Sequence, residues 1–233
     1  MNAFEEIAYA DGDTPLTGLA LHPQGDARAA VAIFPTFMNS TPAVEAKARS
    51  LAEQGYAVLI GDFYGPDAPA DMQQAFAAMT RLRADPVAAR QRLRATIRLL
   101  RERHPDLPQL AIGFCLGGFA VLEMARDSQN LAAVASFHGL LETALPAKTP
   151  IHPRILVCHG DADTLVPRSQ VIDFWEEMDR VGSDWHFHSY AGGEHGFTNP
   201  RTLDGAPNPA YDANADRQSW AALLGFFDEV LDP

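Results

Sequence analysis

The chain has 233 residues, 47% of them hydrophobic, and a formal net charge of −12. That is enough apolar material for a sizeable core in one α/β domain or two small ones, and the acidic balance argues against nucleic acid or an anionic membrane as partner. No run approaches the ~20 apolar residues of a transmembrane helix, and Met1-Asn2-Ala3-Phe4-Glu5-Glu6 lacks the basic and apolar regions of a signal peptide.

Residues 4–9 and 16–22 alternate weakly around the turn signal Asp11-Gly12-Asp13, which predicts a β-hairpin at a sheet edge. Residues 29–34 form a continuous apolar run, the mark of a strand buried on both faces. It ends in the loop Pro35-Thr36-Phe37-Met38-Asn39. Thr41-Pro42 then reads as an N-cap with proline in the first turn of a helix, which runs to about Gln54 and stops at Gly55. A buried strand at 57–60 follows, ending in Gly61-Asp62-Phe63-Tyr64-Gly65. After a Pro/Asp/Gly-rich loop over 65–71, helices are expected over 71–83 and from Asp85-Pro86 onward. The second carries arginines at 90, 92, 94, 98, 101 and 103. Leu93, Ile97 and Leu100 supply its apolar stripe, so the arginines are expected to form a solvated face. Further strands are predicted at 110–113, 131–137, 154–159 and 185–190, with helices at 119–126, 168–181 and about 213–231. Residues 140–153 and 198–212 read as loops. No repeat, low-complexity segment or linker divides the chain.

Strands alternating with helices favour a single domain with a mostly parallel central sheet and helices on both faces. Ligands on such sheets bind at the carboxyl ends of the strands. The loops there begin at Pro35, Gly61, Phe114, His138, Gly160 and Ala191, and they hold almost every residue with chemical potential.

The most informative of them follows Leu110-Ala111-Ile112-Gly113. There Phe114-Cys115-Leu116-Gly117-Gly118 has the pattern of a nucleophile elbow, a strand-to-helix turn too tight for side chains at its glycines. Such a turn lifts Cys115 out of the sheet at a helix N-terminus, where free N–H groups favour a thiolate. The alternative is a structural cysteine beside a packing glycine pair. A thiol nucleophile needs a base, and the base needs an orienting carboxylate. Cys115, Asp163 and His195 occur in the order nucleophile, acid, histidine, each just past a predicted strand. Asp161 reads as a turn residue. His186 and His188 share a strand face, His22, His104 and His152 adjoin prolines, and His159 sits beside the acid loop. His195 alone lies in a glycine-rich loop downstream of the acid.

With these residues in view, the chain resembles the dienelactone hydrolase family of α/β-hydrolases over nearly its whole length. The resemblance is carried by Gln54-Gly55-Tyr56 with Asp62-Phe63-Tyr64, by Gly113-Phe114-Cys115-Leu116-Gly117-Gly118, by His159-Gly160-Asp161-Ala162-Asp163 with Val166-Pro167, and by Glu194-His195-Gly196-Phe197. It implies an α/β-hydrolase fold and the triad Cys115, Asp163 and His195. It implies an oxyanion hole from the backbone N–H groups of Leu116 and Phe37. Thr36, Tyr64, His138 and Phe197 are expected around the substrate pocket, His138 either binding substrate or capping its own loop. Thr36 stands where the type enzymes carry a glutamate. Thr198-Asn199-Pro200, with Arg201 beyond, stands where they carry a carboxylate-binding arginine.

The expected activity is cysteine-dependent hydrolysis of small carboxylic esters or lactones through an acyl-enzyme, with no metal and no organic cofactor. A thioesterase or acyl-transfer enzyme on the same triad is one alternative. A non-catalytic thiol-based redox or electrophile sensor is another. Two cysteines do not make a disulfide framework. A reducing, cytoplasmic compartment fits them, and the expected assembly is a monomer or homodimer.

Overall fold

The computed structural model describes residues 3–202 and 204–232. Its centre is one eight-stranded sheet. In chain order the strands are β1 (Glu5–Asp11), β2 (Thr14–Leu21), β3 (Ala29–Phe34), β4 (Tyr56–Ile60), β5 (Gln109–Phe114), β6 (Ala133–Phe137), β7 (Arg154–Gly160) and β8 (Trp185–Tyr190). They lie side by side in the order β1-β2-β4-β3-β5-β6-β7-β8. The β1–β2 hairpin turns at Gly12 and forms one edge, and β2 runs antiparallel to β4. From β4 to β8 every pairing is parallel.

Six helices cover the sheet: α1 (Pro42–Glu53), α2 (Met72–Ala84), α3 (Pro86–Arg103), α4 (Leu116–Arg126), α5 (Arg168–Val181) and α6 (Ala213–Leu231). The period of two in the strands divides the core. Ala30, Ala32 and Phe34 face the layer of α2, α3, α4 and α5. Ala29, Val31 and Ile33 face α1 and α6. Both faces of β3 to β6 are therefore apolar, and these strands are buried along their whole length, as continuous apolar runs require. Helix starts are set by short polar caps. Thr41 accepts from Val44 N–H, Asp85 from Val87 and Ala88, and Asp212 from Asn214 and Ala215. Each such cap contributes about 1 kcal/mol.

The arginine-rich α3 keeps the solvated face its sequence suggests at Arg94, Arg98, Arg101 and Arg103, which are exposed, and departs from it at Arg90 and Arg92, which are half-buried. Arg90 bonds Glu123 on α4 and the Leu145 carbonyl, while Arg92 bonds Asp11 and the Phe63 carbonyl. Arg94 grips Asp127, and Arg98 donates to the Ala10 carbonyl. The side chains of Arg90 and Arg92 keep only 12% and 19% of their exposure. These arginines tie α3 to the hairpin and to α4 because their partners come from other elements.

Because β3 to β8 run the same way, the loops that leave their carboxyl ends gather at one end of the sheet. No helix among the described residues is long and apolar enough to cross a membrane.

Candidate active site

Cys115 sits between β5 and α4 with φ 56° and ψ −114°, a left-handed conformation unfavourable for a side-chain-bearing residue. The surroundings enforce it. A Cβ on Gly117 would land on the Phe34 carbonyl oxygen, and one on Gly113 would land on the Gly117 carbonyl. Only glycine lets β5 and α4 approach this closely. The helix begins at Leu116, three residues earlier than the apolar run at 119 suggests, so Cys115 is its N-cap. The Leu116 N–H has no acceptor among the described residues.

His195 and Asp163 arrive from the loops after β8 and β7. Those loops are laced together by Asp161 N–H to the Tyr190 carbonyl and Ala162 N–H to the Gly193 carbonyl, each 2.9 Å. Cys115 Sγ lies 3.1 Å from His195 Nε2, and His195 Nδ1 lies 2.8 Å from Asp163 Oδ2. The other Asp163 oxygen accepts Leu165 N–H at 2.9 Å. Asp163 is buried, and burial alone would raise its pKa. The hydrogen bond and charge of His195 outweigh that and hold it below the usual carboxylate value. Burial pulls His195 down, but hydrogen bonds and charges from Asp163 and Cys115 push it up to about 10. Asp161 instead spends its carboxylate on Arg168, where α5 begins. Cys158, in β7, is fully buried, and burial pushes its thiol up to about 12. Both cysteines are free thiols.

The Phe37 N–H, like that of Leu116, has no acceptor among the described residues. Its loop is fixed from several sides. The Tyr64 hydroxyl donates to the Phe37 carbonyl at 2.9 Å. Thr36 Oγ1 accepts Met38 N–H and donates to the Asn39 carbonyl. Asn39, at φ 65°, donates from its amide to Asp62 Oδ1 at 2.8 Å and accepts Phe63 N–H. The same Asp62 oxygen accepts Tyr64 and Gly65 N–H, and its other oxygen accepts Thr17 N–H. Asn39 and Asp62 thus brace the loop. Their sequence signals are an Asn in a turn and an Asp just past a strand, neither of which announces the other.

The residues expected around the substrate pocket are all buried. His138 and Phe197 have no exposed surface. Phe197 packs edge-on to His138 and against Tyr190, in the core. Thr36 and Tyr64 are 5% and 6% exposed, and both hydroxyls are used within the support of the site. Arg201, beyond the histidine loop, is exposed and bonds the Gly205 carbonyl. Burial first and Cys115 second raise the Tyr64 hydroxyl pKa, and the charge of Arg81, exposed on α2, lowers it. Among the described residues, no three His, Cys, Asp or Glu side chains group so as to hold a metal ion.

The dienelactone hydrolase family model matches residues 16–231. Among solved structures, one named m3DLH is 35% identical, with a TM-score of 0.89, over 97% of this chain and 98% of its own. A dienelactone hydrolase-like promiscuous phosphotriesterase from metagenomic libraries is 30% identical, with a TM-score of 0.88, over 98% of both chains. The mouse (Mus musculus) carboxymethylenebutenolidase homolog is 22% identical over 79% of this chain and 76% of its own.

Proposed function

Because the chain belongs to the dienelactone hydrolase family, we propose that it hydrolyses small carboxylic esters or lactones with Cys115 as nucleophile. The observation that carries this reading is the continuous contact from Cys115 Sγ to His195 Nε2, and from His195 Nδ1 to Asp163 Oδ2. His195 Nε2 holds the proton taken from the Cys115 thiol, and the sulfur adds to the ester carbonyl. The carbonyl oxygen takes the negative charge, held by the free N–H groups of Leu116 and Phe37. Collapse of the adduct breaks the carbon–oxygen bond, and the alcohol leaves with the proton from His195. Water, deprotonated by His195, then cleaves the thioester to give the acid and the free enzyme. Asp163 keeps the imidazole in the tautomer with its proton on Nδ1. The reaction needs a reduced thiol and thus a reducing compartment such as the cytoplasm.

Two experiments test this. On rapid acid quench after mixing with an aryl acetate, the Cys115 peptide should carry one acetyl group and the Cys158 peptide none. Turnover with no acyl group on Cys115, or acylation elsewhere, would exclude the mechanism. A thioester that turns over faster than the matching ester would move the assignment to a thioesterase. Tyr64→Phe removes the hydroxyl that clasps the Phe37 carbonyl and leaves both proposed oxyanion donors, the Leu116 and Phe37 N–H groups, in place. It should lower kcat about tenfold, short of the ~10²–10³ for deleting an oxyanion donor, with KM little changed. An unchanged kcat would mean that Asn39 and Asp62 hold Phe37 unaided.

A further inference from the structure

We propose that His138 is a positioning residue that holds the nucleophile and the base in register from below, and the proposal rests on reading Cys115 and His195 as the reacting pair. His138 follows β6 directly, and β6 lies between β5, which carries the nucleophile, and β7, which carries the acid. Its backbone is left-handed, at φ 40°, which turns the ring under the elbow. His138 Nδ1 is 3.2 Å from the Cys115 backbone N, which also reaches the Phe137 carbonyl at 3.0 Å. His138 Nε2 is 2.8 Å from Thr198 Oγ1, three residues past His195. The ring edge meets His195 at 5.3 Å between centroids, with planes 68° apart.

These contacts permit one protonation state. The Cys115 N–H only donates, so His138 Nδ1 carries the lone pair and Nε2 carries the proton given to Thr198. Burial first, and the neighbouring His195 second, keep the His138 pKa far below its ordinary value, so the ring stays neutral. One side chain therefore ties the nucleophile's strained backbone to the loop that carries the base. Without it, the separation of Sγ and Nε2 would depend on two loops that leave strands three positions apart in the sheet.

The test compares His138→Phe, which keeps a ring but no acceptor, with His138→Asn. Asparagine tolerates a positive φ and returns an acceptor near the Nδ1 position. Two readouts are taken on folded protein: kcat for an aryl ester, and the iodoacetamide labelling rate of Cys115 at pH 6.5. The labelling needs no substrate. His138→Phe should lower kcat about 10²-fold with KM little changed, the scale of a misplaced reacting group. Labelling should slow with it, and His138→Asn should recover most of both. Thr198→Val, which removes only the far anchor, should show a smaller loss of the same kind and stands in if His138→Phe does not fold. Wild-type rates in His138→Phe, or an equal loss in His138→Phe and His138→Asn, would overturn the proposal, as would wild-type labelling in Thr198→Val. If wild type does not acylate, the hydrolase reading fails, while the labelling series still decides the role of His138.

Discussion

His195→Ala is expected to lower kcat for an aryl ester by at least ~10³-fold, and Cys115→Ala by as much, because members of a triad act as a unit. Asp163→Asn should lose less, since the base remains in place with its orientation weakened. Asp161→Asn should stay within a few-fold of wild type, because that carboxylate faces Arg168 rather than the imidazole. A dead Asp161→Asn beside an active Asp163→Asn would transfer the acid role, and near-normal turnover by His195→Ala would remove the assignment altogether.

The same arrangement sets a pH dependence. His195 is pushed up to about 10 partly by the hydrogen bond and charge of Cys115. That hydrogen bond and charge favour the proton on the imidazole, and Thr36, which stands beside Phe37, brings no carboxylate to oppose them. Acylation converts the sulfur to a thioester and removes both contributions, so the His195 pKa must fall in the acyl-enzyme. The imidazole then becomes able to take a proton from water. At neutral pH wild-type Cys115 should label with iodoacetamide faster than Cys115 in His195→Ala, because the imidazole 3.1 Å away takes the thiol proton. Labelling that is identical in the two proteins at every pH would rule out the ion pair.

The parts of this molecule legible in its sequence are those determined locally. Thr41-Pro42 and Asp85-Pro86 start helices because a cap and a proline act within one turn. The glycines at 113 and 117 announce a tight elbow because no other residue fits there. Pairing between distant elements is not written in this way. Nothing near Arg90 or Arg92 indicates that their partners are Glu123 and Asp11, so periodicity assigns them to water. His138 looks like a pocket residue from its place after a strand. Its left-handed backbone and its bonds to Cys115 and Thr198 arise only once three loops converge. Asn39 escapes notice for the same reason, and Asp62, visible in the stretch Asp62-Phe63-Tyr64, gives no sign there that it binds Asn39.

Arg126→Met is expected to destabilise the fold by about 3–5 kcal/mol, the cost of stranding buried charges. Arg126, with 1% side-chain exposure, bonds both Glu177 oxygens, Glu123 at 3.0 Å and the Leu141 carbonyl at 2.9 Å. Glu123 also binds Arg90, so two cations and two anions balance inside the molecule. Glu177 accepts Ala147 N–H, while Arg90 and Arg180 donate to the carbonyls of Leu145 and Ala147. The network therefore organises the loop after β6, whose Gly139 packs against Gly118 of the elbow helix. Methionine preserves much of the volume of Arg126 but none of its donors, leaving Glu177 buried with a single N–H. For a chain of this size the loss corresponds to a Tm lower by roughly 6–20 °C. Adding Glu177→Met should recover a large part of it, because a buried pair replaced by apolar groups costs far less than a broken one. A Tm within about 2 °C of wild type for Arg126→Met, or no recovery in the double variant, would mean that apolar packing rather than this charge network holds the loop against α4.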